Sequence, residues 1–285
     1  MKFGTCNEMF EGWDLERQFR FIAETGYQGV ELAPFTIARS VTDVPAERRR
    51  EIAGLARSAG IEVIGLHWLL VGPEGLHITH PDPAVRQRTV DYLKELMRFC
   101  ADVGGRVLVF GSPKQRNLLP GVSREQARAW LIEGFQEALP VAGQVGVTLC
   151  LEPLPPPDCT FIQTTAEAID VIDAIRDPRL RLILDVKSMA GEQQMTGVPI
   201  PDIIRRVAPY VAHVQANDAN LGYPGSGDID FVPIFRALRD VGYDGFVSVE
   251  VFDFSPGPET IARKSIEYMR QADRAAQNVE QPRTH

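Results

Sequence analysis

Several residue types and patterns that mark common protein classes are scarce or missing here. Only four of the 285 residues are cysteine, and Cys6, Cys100, Cys150 and Cys159 show no CxxC or zinc-finger spacing. Neither a disulfide framework nor a thiolate zinc site is therefore expected; reduced core thiols in a cytosolic protein are the ordinary reading. No run of about 18 uninterrupted apolar residues occurs, so no helix is expected to cross a membrane. The chain enters MKFGTC without an apolar leader region, and the cytoplasm is the expected compartment. Basic residues are outnumbered, 30 Lys and Arg against 38 Asp and Glu, for a formal charge of −8. A nucleic-acid substrate needs a basic face, and this balance leans against one. Low-complexity segments and linker-like boundaries are absent, which argues for one domain. The Gly-rich stretch Gly222 to Asp230, GYPGSGDID, lacks the Gly-x-x-x-x-Gly-Lys spacing of a phosphate cradle.

What the chain does have is a series of strands that end in polar residues. The apolar run Val147-Thr148-Leu149-Cys150-Leu151 stops at Glu152 and then at prolines. A strand apolar on both faces is a buried parallel strand, and a charge at its exit is not core. The form recurs in Leu182-Ile183-Leu184-Asp185, in Val211-Ala212-His213-Val214 and in Phe246-Val247-Ser248-Val249-Glu250. Taken singly, a strand-end glutamate is ordinarily a solvated loop charge, and a strand histidine a hydrogen-bonded core residue. In series on consecutive strands, Glu152, Asp185, His213 and Glu250 converge, and carboxylates with one imidazole suit Mn²⁺, Mg²⁺, Co²⁺ or Zn²⁺.

Reading in order, strands are expected over Lys2 to Asn7, Gly29 to Ala33, Ile61 to Trp68, Arg106 to Phe110, Val147 to Leu151, up to Asp185, at Val211 to Val214 and over Phe246 to Val251. Between them lie eight amphipathic helices. The first covers Trp13 to Thr25 and stops at Gly26. The third covers Pro83 to Val103. The fourth and fifth open on the capping boxes Ser123/Gln126 and Thr164/Glu167. The sixth is short, Pro201 to Val207, and the eighth runs from Pro258 to Ala272. Leu69 to Pro83, rich in Gly, Pro and His, reads as a lid or substrate-contacting loop. The alternation predicts a single-domain α/β protein, a (β/α)₈ TIM barrel over 1–275, with a polar tail at 276–285. In that architecture active residues lie at the C-terminal ends of strands, where Glu152, Asp185 and Glu250 fall; His213 sits earlier in its strand.

With these residues placed, the chain resembles the sugar phosphate isomerase/epimerase superfamily, the xylose isomerase-like TIM barrels. The resemblance runs through Gly29-Val30-Glu31-Leu32, Leu151-Glu152-Pro153, Leu184-Asp185-Val186, His213 to Asp218, Pro224 to Phe231 and Val249-Glu250. It implies a divalent metal, Mn²⁺ first, held by Glu152, Asp185, His213 and Glu250. The two glutamates would also transfer protons, one on each face of a bound ketose. The chemistry is reasonable from below: a proton beside a carbonyl is too weakly acidic for a carboxylate unless the developing enediolate is stabilised. Family members commonly have Asp-x-x-His after the sixth strand, where this chain has Asp185-Val186-Lys187-Ser188. Substrate orientation must then differ, with Ser188 replacing an imidazole. His67 and Trp68 offer a compensating hydrogen bond and aromatic face. Lys114, Arg116 and Asn117, after the fourth strand, are further candidates for binding a polyhydroxylated or anionic substrate.

The resulting expectation is a metal-dependent isomerase or epimerase acting beside the carbonyl of a sugar or keto-polyol. The alternative is a lyase on the same scaffold, an inosose dehydratase-like enzyme or a 3-keto-glycoside eliminase. A non-catalytic sugar-binding barrel is a further alternative. Repair endonucleases of the superfamily gather several metals through many histidines, whereas this chain has only five. The expected partner is a small carbohydrate, with neither nucleic acid nor membrane. Association into a homo-oligomer, frequent in the superfamily, is left open.

Overall fold

The computed structural model describes residues 1–278. Eight strands close into one barrel in chain order: β1 (Lys2–Cys6), β2 (Gly29–Leu32), β3 (Glu62–Leu66), β4 (Val107–Phe110), β5 (Thr148–Leu151), β6 (Leu180–Asp185), β7 (Val211–Ala216) and β8 (Phe246–Val249). Every pairing is parallel, including the β1–β8 pairing that closes the ring. The helices that return the chain are α1 (Leu15–Thr25), α2 (Ala46–Ala59), α3 (Pro83–Asp102), α4 (Arg124–Val145), α5 (Thr165–Ile175), α6 (Val186–Thr196), α7 (Ile200–Val207), α8 (Phe231–Asp240) and α9 (Pro258–Asn278). This is the expected single-domain TIM barrel.

Local chemistry sets the helix ends. Gly26, at φ +99°, terminates α1, and the Ser123/Gln126 capping box opens α4 with both reciprocal hydrogen bonds. At α5 only half of the expected box forms. Thr164 accepts from the Glu167 amide, but Glu167 Oε2 accepts from Gln163 N at 2.7 Å, one residue further back.

The sixth connection holds two helices, where one was expected. Helix α6 leaves β6 without a loop because Asp185 is its N-cap, accepting from Ser188 N at 2.8 Å. A residue that ends a strand and caps a helix at once gives no turn signal between them. The last helix continues to Asn278, past the expected boundary at 275, and residues 279–285 of the expected tail lie outside the described residues. No helix among the described residues is long and apolar enough to cross a membrane.

The main apolar core lies between the strand ring and the helices. A second, small cluster of Val109, Cys150 and Ile183 is separate from it. These are inward-facing strand positions, so the small cluster plugs the lower barrel. Since side chains alternate, the residues two further along, Gly111, Glu152 and Asp185, share that inward face one layer nearer the mouth.

Candidate active site

Glu152, Asp185 and Glu250 each offer a carboxylate oxygen, and the three lie within 4.8 Å of one another. They leave β5, β6 and the end of β8, and all three are buried. Gly111, at the exit of β4, makes room for the first of them: a Cβ on Gly111 would stand 2.1 Å from Glu152 Oε2. The carboxylate would have to move. Gly111→Ala is therefore expected to cut turnover at least tenfold with little loss of secondary structure, checked by steady-state kinetics beside circular dichroism. An unimpaired variant would show that Glu152 need not hold its observed position.

Asp185 is fixed from two sides, by Ser188 N–H on Oδ1 at 2.8 Å and by Asn217 Nδ2 on Oδ2 at 2.6 Å. Asn217 also accepts from Lys187 N at 2.8 Å, which ties the start of α6 to the segment after β7. Beyond it Asp218, fully buried, accepts from the Gly225, Gly227 and Ile229 amides. The amides of the GYPGSGDID loop are thus turned onto a carboxylate of the chain itself, consistent with its lack of a phosphate-binding pattern.

Burial and mutual repulsion govern the charge of this cluster. Burial, reinforced by the charge of Asp185, pushes Glu152 up to about 8, against the pull of Arg116 and Lys187. Burial, then Glu152 and Asp185, hold Glu250 well above the ordinary carboxylate range. Burial also raises Asp185, opposed by the Ser188 amide, Lys187 and Asn217.

The structure does not bring His213 into this cluster, and its expected place as a ligand needs correcting. Within the β6–β7 pairing, His213 stands opposite Ile183, in the layer of the apolar plug, and Gln215 stands opposite Asp185. His213 Nε2 lies 2.6 Å from Glu31 Oε1, and both side chains are buried. Burial alone would raise Glu31, but the charge and hydrogen bond of His213 hold it below its usual value. The signal that could have located Gln215 was strand alternation, which gives residues 213 and 215 the same face.

A second group adjoins the first at Glu250. Glu8, His67 and Glu250 also offer ligand atoms within 4.8 Å of one another. His67 Nε2 sits 2.7 Å from Glu8 Oε2, with the imidazole fully buried. Burial alone would depress the imidazole; Glu8, with Glu31 and Glu152 behind it, outweighs this and raises it. Glu8 went unnoticed in the sequence because it follows β1 in a turn, where an acidic residue is unremarkable.

Outside these groups lies a cavity of about 670 Å³. Glu8 and Asn7 lie on its wall with Phe35, Trp68, Phe252 and Phe254. Trp68 holds a left-handed φ of +52°, uncommon for a bulky residue, and its ring packs edge-on to Phe35 at 6.4 Å and tilted against Phe252 at 6.3 Å. Lys187 stands 5.0 Å from the Phe252 ring centroid and pairs with Asp158. The two ends of the loop after β3 are anchored by Leu69, Leu70 and Ile78, all fully buried, and of its residues only Trp68 and Val71 line the cavity. His77 and His80 serve loop hydrogen bonds, His77 N to Thr89 Oγ1 and Asp82 N to His80 Nδ1.

The remaining expected substrate contacts fall elsewhere. Arg116 is fully buried, with Nη1 donating to Phe110 O at 3.2 Å and Nε to Cys159 Sγ at 3.5 Å. Its charge acts on Glu152 from within the protein. Ser188 is buried beside a void of about 10 Å³ bounded by Pro153, Thr165 and Glu192. Lys114 is exposed in the short turn Pro113–Gln115, and none of the three lines the aromatic cavity. Their positions in sequence, just past strand ends, fixed their height in the barrel but not their direction.

Comparison with known proteins agrees with this architecture. A family model described as "Xylose isomerase-like TIM barrel" matches residues 19–272. The chain belongs to that family. Relatives include a D-psicose 3-epimerase of Ruminiclostridium cellulolyticum, 26% identical over 88% of this chain and 84% of its own length. Another is a 3-dehydro-D-guloside 4-epimerase of Escherichia coli, 25% identical over 95% of this chain and 99% of its own. A solved D-psicose 3-epimerase with D-tagatose, from Clostridium cellulolyticum, superposes with a TM-score of 0.84 at 21% identity, covering 96% of this chain and 99% of that one. The named relatives are epimerases, and this xylose isomerase-like chain is an enzyme of the isomerase and epimerase class.

Proposed function

We propose that the chain is a divalent-metal-dependent epimerase of a keto-sugar. The observation that carries this is the convergence of Glu152, Asp185 and Glu250 at the strand ends, three buried carboxylates whose ligand oxygens lie within 4.8 Å of one another. Such a donor set fits a hard divalent ion, and Mn²⁺ is the ion we assign. Glu152, Asp185 and Glu250 would hold such an ion, which would supply positive charge beside the substrate carbonyl.

Glu152 and Glu250 are the proton-transfer pair. They approach from strands three apart in the ring, and each brings a carboxylate that can take and return a proton. Asp185, its oxygens fixed by Ser188 N–H and Asn217, has the part of an anchoring ligand. Glu8, held by His67 beside Glu250, lines the cavity and is the group we assign to hydrogen-bond a sugar hydroxyl, with Trp68 and Phe252 on the same wall. Four buried, free cysteines fit a reducing compartment, in keeping with a cytoplasmic enzyme.

The cavity favours one kind of substrate within this class. Its outer wall is aromatic, whereas a free ketose presents hydroxyls on every side. A keto-glycoside would place its sugar ring at the carboxylates and an apolar aglycone against Phe35, Trp68 and Phe254. The similarity to the 3-dehydro-D-guloside 4-epimerase supports that choice.

Incubation in D₂O with free ketoses and with 3-keto-glycosides tests the reading. Deuterium should enter at the carbon beside the carbonyl, fastest in the glycosides, and a chelator should stop it. Release of the aglycone without epimer formation would move the assignment to the eliminase. Exchange unaffected by a chelator would end the metal-dependent reading.

A further inference from the structure

Gln215 is fully buried in β7, and its amide is satisfied on one side only. Nε2 donates to Glu31 Oε2 at 3.1 Å, with Cys6 Sγ at 3.9 Å, whereas Oε1 has no hydrogen-bond partner among the described residues. Leaving a buried amide oxygen unpaired forfeits its hydration with nothing in return, so a protein rarely places one without use for it.

The direction of the amide is determined by its surroundings. An ionised carboxylate only accepts hydrogen bonds. Glu31, already bonded to His213 through its other oxygen, therefore takes the NH₂ end of Gln215. The carbonyl oxygen is left on the other side. The strand pairing puts Gln215 opposite Asp185 on β6 and opposite Ser248 on β8, two residues before Glu250. Gln215 thus stands in the ring between two of the clustered carboxylates, level with Asp185 and one inward-facing position below Glu250.

We infer that Gln215 Oε1 is the fourth protein ligand of the metal held by Glu152, Asp185 and Glu250, and that His213 and Glu31 are positioning residues that orient the amide. This rests on the metal reading above. It changes the chemistry of the centre, because replacing the expected imidazole by an amide leaves only oxygen donors. Oxygen-only sites suit Mg²⁺ and Mn²⁺, whereas imidazole favours Zn²⁺ and its neighbours. The family scaffold is thereby tuned in this chain toward hard ions.

Calorimetric titration of the metal-stripped protein with Mn²⁺ and with Zn²⁺ tests this directly, without reference to activity. The wild type should take up one Mn²⁺. Gln215→Leu should bind it at least tenfold more weakly, and Gln215→His should shift the Zn²⁺-to-Mn²⁺ affinity ratio at least tenfold toward Zn²⁺. Glu31→Gln, which lets the amide turn over, should weaken Mn²⁺ binding while Gln215→His in the same background recovers it. Mn²⁺ affinity unchanged within twofold in Gln215→Leu, or an unchanged metal ratio in Gln215→His, would overturn the assignment and leave the carboxylate site standing. A wild type that binds neither ion would remove both the assignment and the metal reading beneath it. The selectivity of Gln215→His decides the question even where the leucine variant folds poorly.

Discussion

Glu152→Gln is expected to lower turnover of the preferred keto-sugar by about 10²–10⁴, the usual cost of losing a positioned acid or base. Glutamine keeps the length and one oxygen of the side chain but cannot take up a proton. Deuterium incorporation should fall with turnover, since both require the same proton transfer. Glu250→Gln should behave alike, and the double variant should be little worse than either single one, because groups acting as a unit are not additive. The metal-free Glu152→Gln protein should also melt higher than the metal-free wild type near pH 8, since one member of a mutually repelling cluster has become neutral. Kinetics, isotope exchange and thermal melts check the set. Retention of more than a tenth of the wild-type turnover would remove Glu152 from the proton-transfer pair.

Stability of the metal-free protein is expected to fall as pH rises from about 5 to about 8. In the unfolded chain a glutamate ionises near 4.5, whereas folding raises Glu152 to about 8. Between these values the folded state holds a proton that the unfolded state has released, so rising pH favours unfolding. Below 4.5 both states are protonated and the full contribution is present; above 8 both are ionised and it is gone. Glu250 and Asp185, also raised, act in the same sense, as does His67, whose raised value adds stability that is lost as pH climbs. Glu31, held low, acts oppositely, losing its contribution only as the solution becomes acidic. The net loss should amount to a few kcal/mol, on the order of 1.4 kcal/mol per unit of pKa displacement. Melts in chelator at pH 5, 6.5 and 8 measure it, and Mn²⁺ should restore most of the loss at pH 8 by taking the place of the protons. A melting temperature that stays level or climbs across that range would show that the carboxylates are not crowded as described.

The barrel and the heights of the site residues were legible because both depend on short-range regularities. Apolar runs bounded by glycine, proline and capping residues mark strands and helices one at a time, and a carboxylate closing such a run is visible in the chain. Glu152, Asp185 and Glu250 were read in this way, each from its own strand. Helix α6 was missed because its cap and the end of β6 are the same residue. Glu8 was missed because a turn acid looks ordinary until the fold places it beside His67.

The amino-acid sequence by itself determined the architecture, the family and the three carboxylates that meet at the mouth. Only the tertiary structure decided which neighbour of that cluster faces it. The choice between His213 and Gln215 turns on how β7 is registered against β6, and the register shifts between Leu182 and Ile183. A one-strand pattern cannot record that shift, because pairing across a sheet is fixed by packing over the whole closed ring. The same holds for Arg116, whose place just past a strand end was plain but whose burial against Phe110 and Cys159 arises from residues 6 and 43 positions away.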